Sequence, residues 1–422
     1  MPRVPSVFSV SIDKLVHGGQ GLGTLSDGKK AFVWGALPGE EVAFIATKKR
    51  KDFIEGIATE VIKHSAERVE PLEPTYLSTS PWQIMSEEAE DGYKKLILCE
   101  TMSRAGVLCS PEIISIPTEN FYRYRNKMEY SFYGDEAGLH LALYDRGTHR
   151  KQPVPGSSIA MTAIDEAANN ILAVLQKNNV RAGDIKTLVL RASQSGQVVA
   201  ALFVRDLKFL RINELGSSCK GIAVVYSDPK SPASVRTEDL YELGDTSLSD
   251  LVGGIEVSYD VFSFFQVNVP IFNQTVESIR KMVAGNPAID MYSGVGSIGL
   301  AVPSVDLLVE SDAANIRWAK ANALKLRSNV EVVHAKSETA LDYISSEKTL
   351  ILDPPRAGLH NELIGKILEA MPPKIIYLSC NSSTQARDIA LLQEGYILKE
   401  IQSYNFFPRT PHIESLACVV RR

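Results

Sequence analysis

The chain has 422 residues, of which 45% are hydrophobic, 23% charged and 8% aromatic, a composition that excludes a disordered or fibrous protein and suggests about three globular domains. No stretch reaches the ~20 consecutive apolar residues of a membrane span, and the opening MPRVPSVFSV lacks the apolar core of a secretion leader, so a cytoplasmic location away from membranes is expected. The net charge of −5 gives no global case for a nucleic-acid partner, and any such case has to be local.

From Val7 to Val61 short β-rich pieces are broken by glycine clusters and by Leu37-Pro38-Gly39. Regular short strands with such turns predict a small closed barrel over residues 1–66. Residues 1–51 hold eight Lys or Arg against four Asp or Glu and end in Lys48-Lys49-Arg50-Lys51, which reads either as an RNA-facing patch or as a solvated loop. A proline-dotted connector follows. Then comes a helical stretch over 87–105, expected to pack on the C-terminal domain, with Leu96, Leu98, Met102 and Ala105 among charges. Residues 67–256 as a whole predict a mixed α+β middle domain with one further helix, AIDEAANNILAVLQKNN. From 257 to 422 apolar strands (AIDMY, DLLVE, VEVVHA, TLILD, KIIYLS) alternate with amphipathic stretches, the pattern of a Rossmann-like α/β domain with a parallel-rich sheet. The five cysteines, 99, 109, 219, 380 and 418, contain no C-x-x-C pair, so neither a disulfide framework nor a metal site is expected.

In such a sheet ligands sit beyond the carboxyl ends of the strands, and four ends here carry distinctive residues. Gly294, Gly296 and Gly299 follow the first, and would let the backbone approach a bound adenosyl group at a helix start. A dinucleotide would fit equally well. Glu310 ends the second, placed to accept both hydroxyls of a ribose. Asp353-Pro354-Pro355-Arg356 ends the third, an acid on a backbone stiffened by two prolines, a step common among base-methylating enzymes and uncommon in dehydrogenases. Cys380 ends the fourth beside a helix N-terminus, where partial positive charge favours the thiolate. Its alternative is a small buried hydrophobe.

Carbon 5 of uracil is too electron-poor to attack a methyl sulfonium until a nucleophile adds at carbon 6. A base must then remove the carbon 5 proton. The stretch Phe407–Glu414 offers Glu414, the first choice, and His412. A Glu414 that merely pairs with Arg409 is the competing explanation.

Together these residues resemble the class I RNA 5-methyluridine methyltransferases, over nearly the whole chain. The resemblance extends to the N-terminal RNA-binding barrel called TRAM, to Phe121-Tyr-Arg-Tyr-Arg-Asn-Lys127 and to Ser263-Phe-Phe-Gln266-Val-Asn268. It implies S-adenosylmethionine as cofactor, with contacts at Gln266, Tyr292, Gly294, Gly296, Glu310 and Asp353. Ser297 stands where many members have asparagine. Cys380 matches the family nucleophile and Glu414 the base. Arg123, Arg125, Asn126 and Lys127, lying among aromatics, would suit RNA contact. Many members bind an iron–sulfur cluster through C-x5-C-G-x-C and a later cysteine. The corresponding stretch here is YLSTSPWQIM, with Gln152 near the later position, so no cluster is expected.

The reading is therefore a monomeric enzyme that methylates one uridine of RNA. Large-subunit ribosomal RNA is favoured by the barrel, and transfer-RNA uridine 54 is the alternative. A nicotinamide oxidoreductase leaves Asp353, Cys380 and Glu414 without a role. A non-catalytic RNA-binding or RNA-folding protein explains only the barrel and the basic runs. Cytosine methylases usually carry Pro-Cys where Asp-Pro-Pro-Arg stands here.

Overall fold

The computed structural model describes residues 7–214, 218–231 and 234–422. Residues 1–6 of the opening segment discussed above lie outside them. Five strands, β1 (Val7–Leu15), β2 (Gly21–Thr24), β3 (Lys30–Trp34), β4 (Glu41–Lys49) and β5 (Phe53–Lys63), close a barrel in the order β1-β2-β3-β5-β4. Val10, Ile12, Val33, Val42 and Phe44 fill it, as the period-2 alternation of the strands requires.

The barrel is fastened to the connector by a buried ion pair. Glu40, with a fully buried carboxylate, accepts from Arg68 Nε at 2.6 Å and Nη2 at 2.8 Å, and from the amides of Leu37 and Ser65. The connector carries a one-turn helix, α1 (Tyr76–Thr79), and leads to α2 (Glu87–Arg104). Ser86 caps α2 by accepting from Ala89 N, and three glutamates occupy its first turn, a sequence that favours a helix start. Ile97, Leu98 and Met102 of α2 share one core with Ile375, Tyr377 and Ile389 of the C-terminal domain, the first two on a strand and the last on a helix, while Leu96 faces out.

Five separate cysteines are not what the structure contains. At Gly106, which has φ +77°, the chain turns back along the end of α2, and Cys109 returns beside Cys99 to form a disulfide with Cα atoms 5.1 Å apart. The reversal brings together two residues whose spacing gives no sign of pairing.

The middle sheet contains β6 (Lys127–Asp135), β7 (Gly138–Tyr144), β8 (Lys151–Pro153), β9 (Ile185–Ala192), β10 (Val198–Val204), β11 (Gly221–Tyr226) and β12 (Glu238–Gly244), in the order β12-β11-β10-β9-β6-β7-β8. Helix α3 (Thr162–Lys177) covers one face through Ile164, Ala167, Ala168, Ile171 and Leu175. A separate hairpin, β13 (Ser247–Val252) and β14 (Ile255–Asp260), leads to α4 (Val269–Val283). The expected break at 256/257 falls inside β14.

The C-terminal sheet has β15 (Ala288–Met291), β16 (Val305–Glu310), β17 (Glu331–His334), β18 (Thr349–Leu352), β19 (Lys374–Ser379), β20 (Tyr396–Tyr404) and β21 (Glu414–Arg421), with α5 (Ala313–Lys325), α6 (Asn361–Ala370) and α7 (Ser382–Leu392). Its order is β17-β16-β15-β18-β19-β21-β20. The first five strands are parallel, and β21 runs antiparallel between β19 and β20. This is the Rossmann-like sheet with a reversed edge, and its order switches between β15 and β18, where a ligand crevice opens. Among the described residues no helix is long and apolar enough to cross a membrane.

Removing one partner of the buried Glu40–Arg68 pair strands the other charge. Arg68→Met is therefore expected to destabilise the protein by about 3 kcal/mol, and Arg68→Met/Glu40→Leu to recover part of the loss, as read in urea melts.

Candidate active site

A cavity of 680 Å³ opens at the switch point, walled by the ends of β15, β16, β18, β19 and β21 and by the segment before α4. At one end lies the glycine loop. Gly294 has φ +56°, its amide donates to Glu310 Oε2 at 2.7 Å, and only the Phe264 ring and carbonyl stand near the position a Cβ would take. Gly299 has a different reason to be glycine, since a Cβ there would lie 2.3 Å from the Leu308 side chain and 2.8 Å from Asp290 Oδ2. The other oxygen of Glu310 accepts from the amides of Ser311 and Asp312, each at 2.7 Å. The carboxylate is thus held rigidly at the cavity wall by three amides, with one lone pair, on Oε2, left for a ligand hydroxyl.

The glycine loop does not start an α-helix. Only a 3₁₀ turn, Gly299–Ala301, follows it, so the expected array of helix amides is missing and the carboxylates of Asp290 and Glu310 organise the loop instead. Gln266, Tyr292, Gly294, Glu310 and Asp353 line the cavity, whereas Gly296 and Ser297 do not. Gly296, with φ +84°, serves the turn.

At the other end stand Asp353, Arg356, Cys380, His412 and Glu414. The last rung between β19 and β21 pairs Ser379 with Ser415. Just beyond this rung Cys380 and Glu414 both line the cavity, near enough for the Glu414 charge to act on the thiol. Gln266 Nε2 donates to Asp353 Oδ2 at 3.3 Å.

Negative charge crowds this end and sets its acid–base properties. Burial raises the Asp353 carboxyl to about 7, with the Gln266 amide opposing. Burial and then the Asp353 charge hold the Glu414 carboxyl well above the ordinary range, with Arg356 opposing. Burial pushes the Cys380 thiol up to about 11. Glu414 and Asp353 push the same way, while the Arg356 guanidinium opposes by charge and by hydrogen bond. Asn381 does cap α7 behind Cys380, its side chain accepting from Ser383 N. Yet burial and two carboxylates outweigh the helix terminus, and the expectation that the terminus alone favours the thiolate is corrected.

His412 is lowered to about 4, by burial first and then by Arg356, Arg125, Lys94 and Arg146. It is a poorer base than Glu414. Nor does Arg409 pair with Glu414. It is buried against α2, donating to the Met85 carbonyl and to Glu87, with its amide on Glu90 and its guanidinium 4.6 Å from the Phe121 ring centroid.

The basic phrase is divided by the fold. Arg125 lines the cavity, 5.9 Å from the Phe407 ring centroid. Arg123, with φ +57°, pairs with Asp165 at 2.6 Å on the middle sheet. Asn126 is fully buried and donates to the Gln266 carbonyl, and burial lowers Lys127 to about 8. Asn126 therefore holds protein backbone and is not a surface RNA contact. Its neighbours in sequence carried charge and aromatic signals, but burial at a strand junction leaves no local trace.

Residues not singled out by sequence include Arg356, signalled only by its place after Asp-Pro-Pro, and Phe264, 60% exposed beside the glycine loop. Among the described residues no three His, Cys, Asp or Glu side chains gather as metal donors. Gln83 donates to Glu73, Ser80 and Ser158, and Glu73 accepts from Ser158 N at 2.8 Å. A hydrogen-bonded knot thus fixes the segment that has no thiolates to offer a cluster, and Gln152 lies apart on β8.

The barrel reaches the site as well. Trp82 Nε1 donates to the Gly19 carbonyl and Trp82 N to the Arg409 carbonyl, while a Cβ on Gly19 would lie 2.2 Å from Pro411 Cβ. The β1–β2 turn is wedged against the loop that delivers Glu414.

Residues 263–422 match the family model described as tRNA (uracil-5-)-methyltransferase. An uncharacterized RNA methyltransferase of Fusobacterium nucleatum is 25% identical over 457 residues, covering 100% of this chain and 97% of that protein. One of Thermotoga maritima is 28% identical over 442 residues, covering 98% of each. The crystal structure of the Pyrococcus abyssi tRNA (uracil-54, C5)-methyltransferase in complex with S-adenosyl-L-homocysteine superposes with TM-score 0.79 at 21% identity, over 98% of this chain and 100% of that one. This last likeness shows a shared fold.

Two outcomes follow from the charges and the wedge. Alkylation of Cys380 by iodoacetamide is expected to be slow at pH 7 and to climb toward pH 11. At pH 8 Glu414→Gln should speed it by removing a negative charge, and Arg356→Met should slow it; mass spectrometry of the modified peptide reads both. Gly18 and Gly19 both have positive φ, but only Gly19 faces a neighbour, so Gly19→Ala should lower methyl transfer far more than Gly18→Ala. Equal losses would show that backbone strain alone matters.

Proposed function

The chain belongs, through residues 263–422, to the tRNA (uracil-5-)-methyltransferase family, and on that premise we propose that it methylates carbon 5 of one uridine through a covalent Cys380 adduct, with Glu414 as base. It is an S-adenosylmethionine-dependent RNA uracil-5 methyltransferase. The observation that carries the mechanism is the single cavity lined by Glu310 and Gly294 and also by Cys380 and Glu414, with the Glu414 charge acting on the thiol.

S-adenosylmethionine supplies an electrophilic methyl on a sulfonium. Glu310 would hold its ribose and the bend at Gly294 would admit its adenosyl group. The negative charge collected by Asp353, Glu310 and Glu414 suits a cationic ligand, and positive charge there would draw Cys380 toward its thiolate. The thiolate bonds to carbon 6 and the ring electrons move to carbon 5, as an enolate through oxygen 4. Carbon 5 takes the methyl group as the methyl–sulfonium bond breaks, its electron pair staying on sulfur, which is left as a neutral thioether. The Glu414 carboxylate then accepts the carbon 5 proton, the carbon 6–sulfur bond breaks, and the thiolate returns. One ring proton has been exchanged for one methyl. Arg356 opposes the upward shifts of both the thiol and the carboxyl and so favours their charged forms. Arg125 and Phe407 present a planar cation and a ring at the cavity mouth, a surface on which a splayed base can stack.

The substrate proposed first is large-subunit ribosomal RNA, on the strength of the barrel with its Lys48–Lys51 run. Transfer-RNA uridine 54 is the second reading. It is favoured by the full-length likeness to an enzyme named for that position, which spans the barrel as well. A monomer in the cytoplasm is the proposed working form.

RNA substituted with 5-fluorouridine should trap the wild-type protein covalently when S-adenosylmethionine is present, because carbon 5 then has no proton to lose. Cys380→Ala should not be trapped, and Glu414→Gln should accumulate adduct on ordinary uridine RNA. No trapping of wild type would sink the mechanism. Mapping 5-methyluridine in cells lacking the protein separates the substrates: a methyl missing from large-subunit RNA supports the first, and one missing only from transfer RNA supports the second.

A further inference from the structure

The segment Ser263–Val267 carries Gln266 into the cavity, and its backbone is held from the middle sheet. Arg191 of β9 donates through Nη2 to the Ser263 carbonyl at 3.0 Å and through Nη1 to the Phe265 carbonyl at 3.2 Å. Asn126, just before β6, donates through Nδ2 to the Gln266 carbonyl and through its amide to the Val267 carbonyl, each at 3.0 Å. Four carbonyls within five residues are thus bonded to two side chains and one amide of another sheet.

Both donors are buried and fixed in turn. Asn126 is 0% and Arg191 1% exposed. The Asn126 carbonyl accepts from Ala192 N at 2.8 Å, and Arg191 lies opposite Lys127 across the β6–β9 ladder. The Arg191 guanidinium stands 5.4 Å from the Tyr259 ring centroid, and Tyr259 stacks on Phe265 at 4.0 Å. Among the described residues no carboxylate contacts Arg191. Asp260 and Asp250 act on the guanidinium through charge without touching it. A buried guanidinium with no contacting carboxylate is costly, and an apolar side chain of similar length would fill the space at less cost. What the charge supplies is direction, two N–H groups on two carbonyls in a fixed fork.

We infer that Asn126 and Arg191 are positioning residues for methyl transfer, a clamp that orients Gln266 so that its side-chain amide meets Asp353. The inference rests on the proposed methyltransferase activity. It also connects the RNA side of the molecule to the cofactor side. Arg125, next to Asn126, is at the cavity wall, so a nucleotide that moves Arg125 moves the backbone of the clamp.

The test is a double-mutant cycle on the full chain, measuring methyl transfer to a transcript of the RNA that wild type methylates. Arg191→Met and Asn126→Ala should each lower kcat/KM for S-adenosylmethionine, by up to about 100-fold if Gln266 shifts by an ångström. In a Gln266→Ala background the same changes should cost at most about 2-fold more, because residues acting through one group are not additive. Arg191→Lys should recover part of the loss. Full multiplicative losses in the double variants, or single variants as active as wild type, would overturn the clamp. If Arg191→Met melts below the assay temperature, the Asn126→Ala and Gln266→Ala pair gives the same reading. A wild-type protein that transfers no methyl would sink the proposed function instead, which keeps the two failures apart.

Discussion

One antiparallel strand shapes the candidate site. Because β21 inserts between β19 and β20 against the direction of the parallel strands and pairs Ser415 with Ser379, the residues flanking that last rung, Cys380 and Glu414, both reach the cavity. Parallel strands alone would place such groups side by side at their carboxyl ends with no rung between them. The reversed edge strand brings the second group in from the opposite direction, and the Arg356 turn supplies the cation that a thiol and a carboxyl at such close quarters require. Burial first, and for Cys380 and Glu414 the neighbouring carboxylates next, raise these groups and favour their uncharged forms. A cation entering the cavity would favour their charged forms.

Much of this architecture was legible in the residues. Short apolar strands ending in Asp290, Glu310, Asp353 and Cys380 announce themselves because a buried parallel strand is a continuous apolar run whose polar end marks the crevice. The barrel was legible through period-2 alternation and turn glycines, and α2 through its capping serine and first-turn acids. What escaped depends on pairing at long range. Nothing in ILKEIQSY or ESLACVVR announces an antiparallel edge, and the Asn126 side chain looks like its basic neighbours until a second sheet is seen to bury it. The helix expected after the glycine loop failed for a local reason. The loop's amides at Gly294 and Gly299 are taken by Glu310 and Asp290, and the chain closes with a single 3₁₀ turn.

Three parts of the chain meet at the loop before β21. Gly19 of the barrel, Trp82 of the connector and Glu90 of α2 each hold one side of residues 407–411. Gln83 and Glu73 stiffen the connector with hydrogen bonds, which satisfy buried polar groups directionally.

The anchoring of that loop on α2 also bears on how the chain is made. Glu90 and Lys94 emerge early from the ribosome, yet their partners Asn405 and Arg409 are more than 300 positions later. Until the last strand leaves the exit tunnel, α2 carries two charges that bond chiefly to each other, beside an apolar face still waiting for α7. Contacts of such sequence separation form late. A nascent chain therefore has its barrel and middle sheet before α2 has its partners, and a ribosome stalled near the final codons would hold a chain whose Glu90 and Lys94 still await residues 405–409.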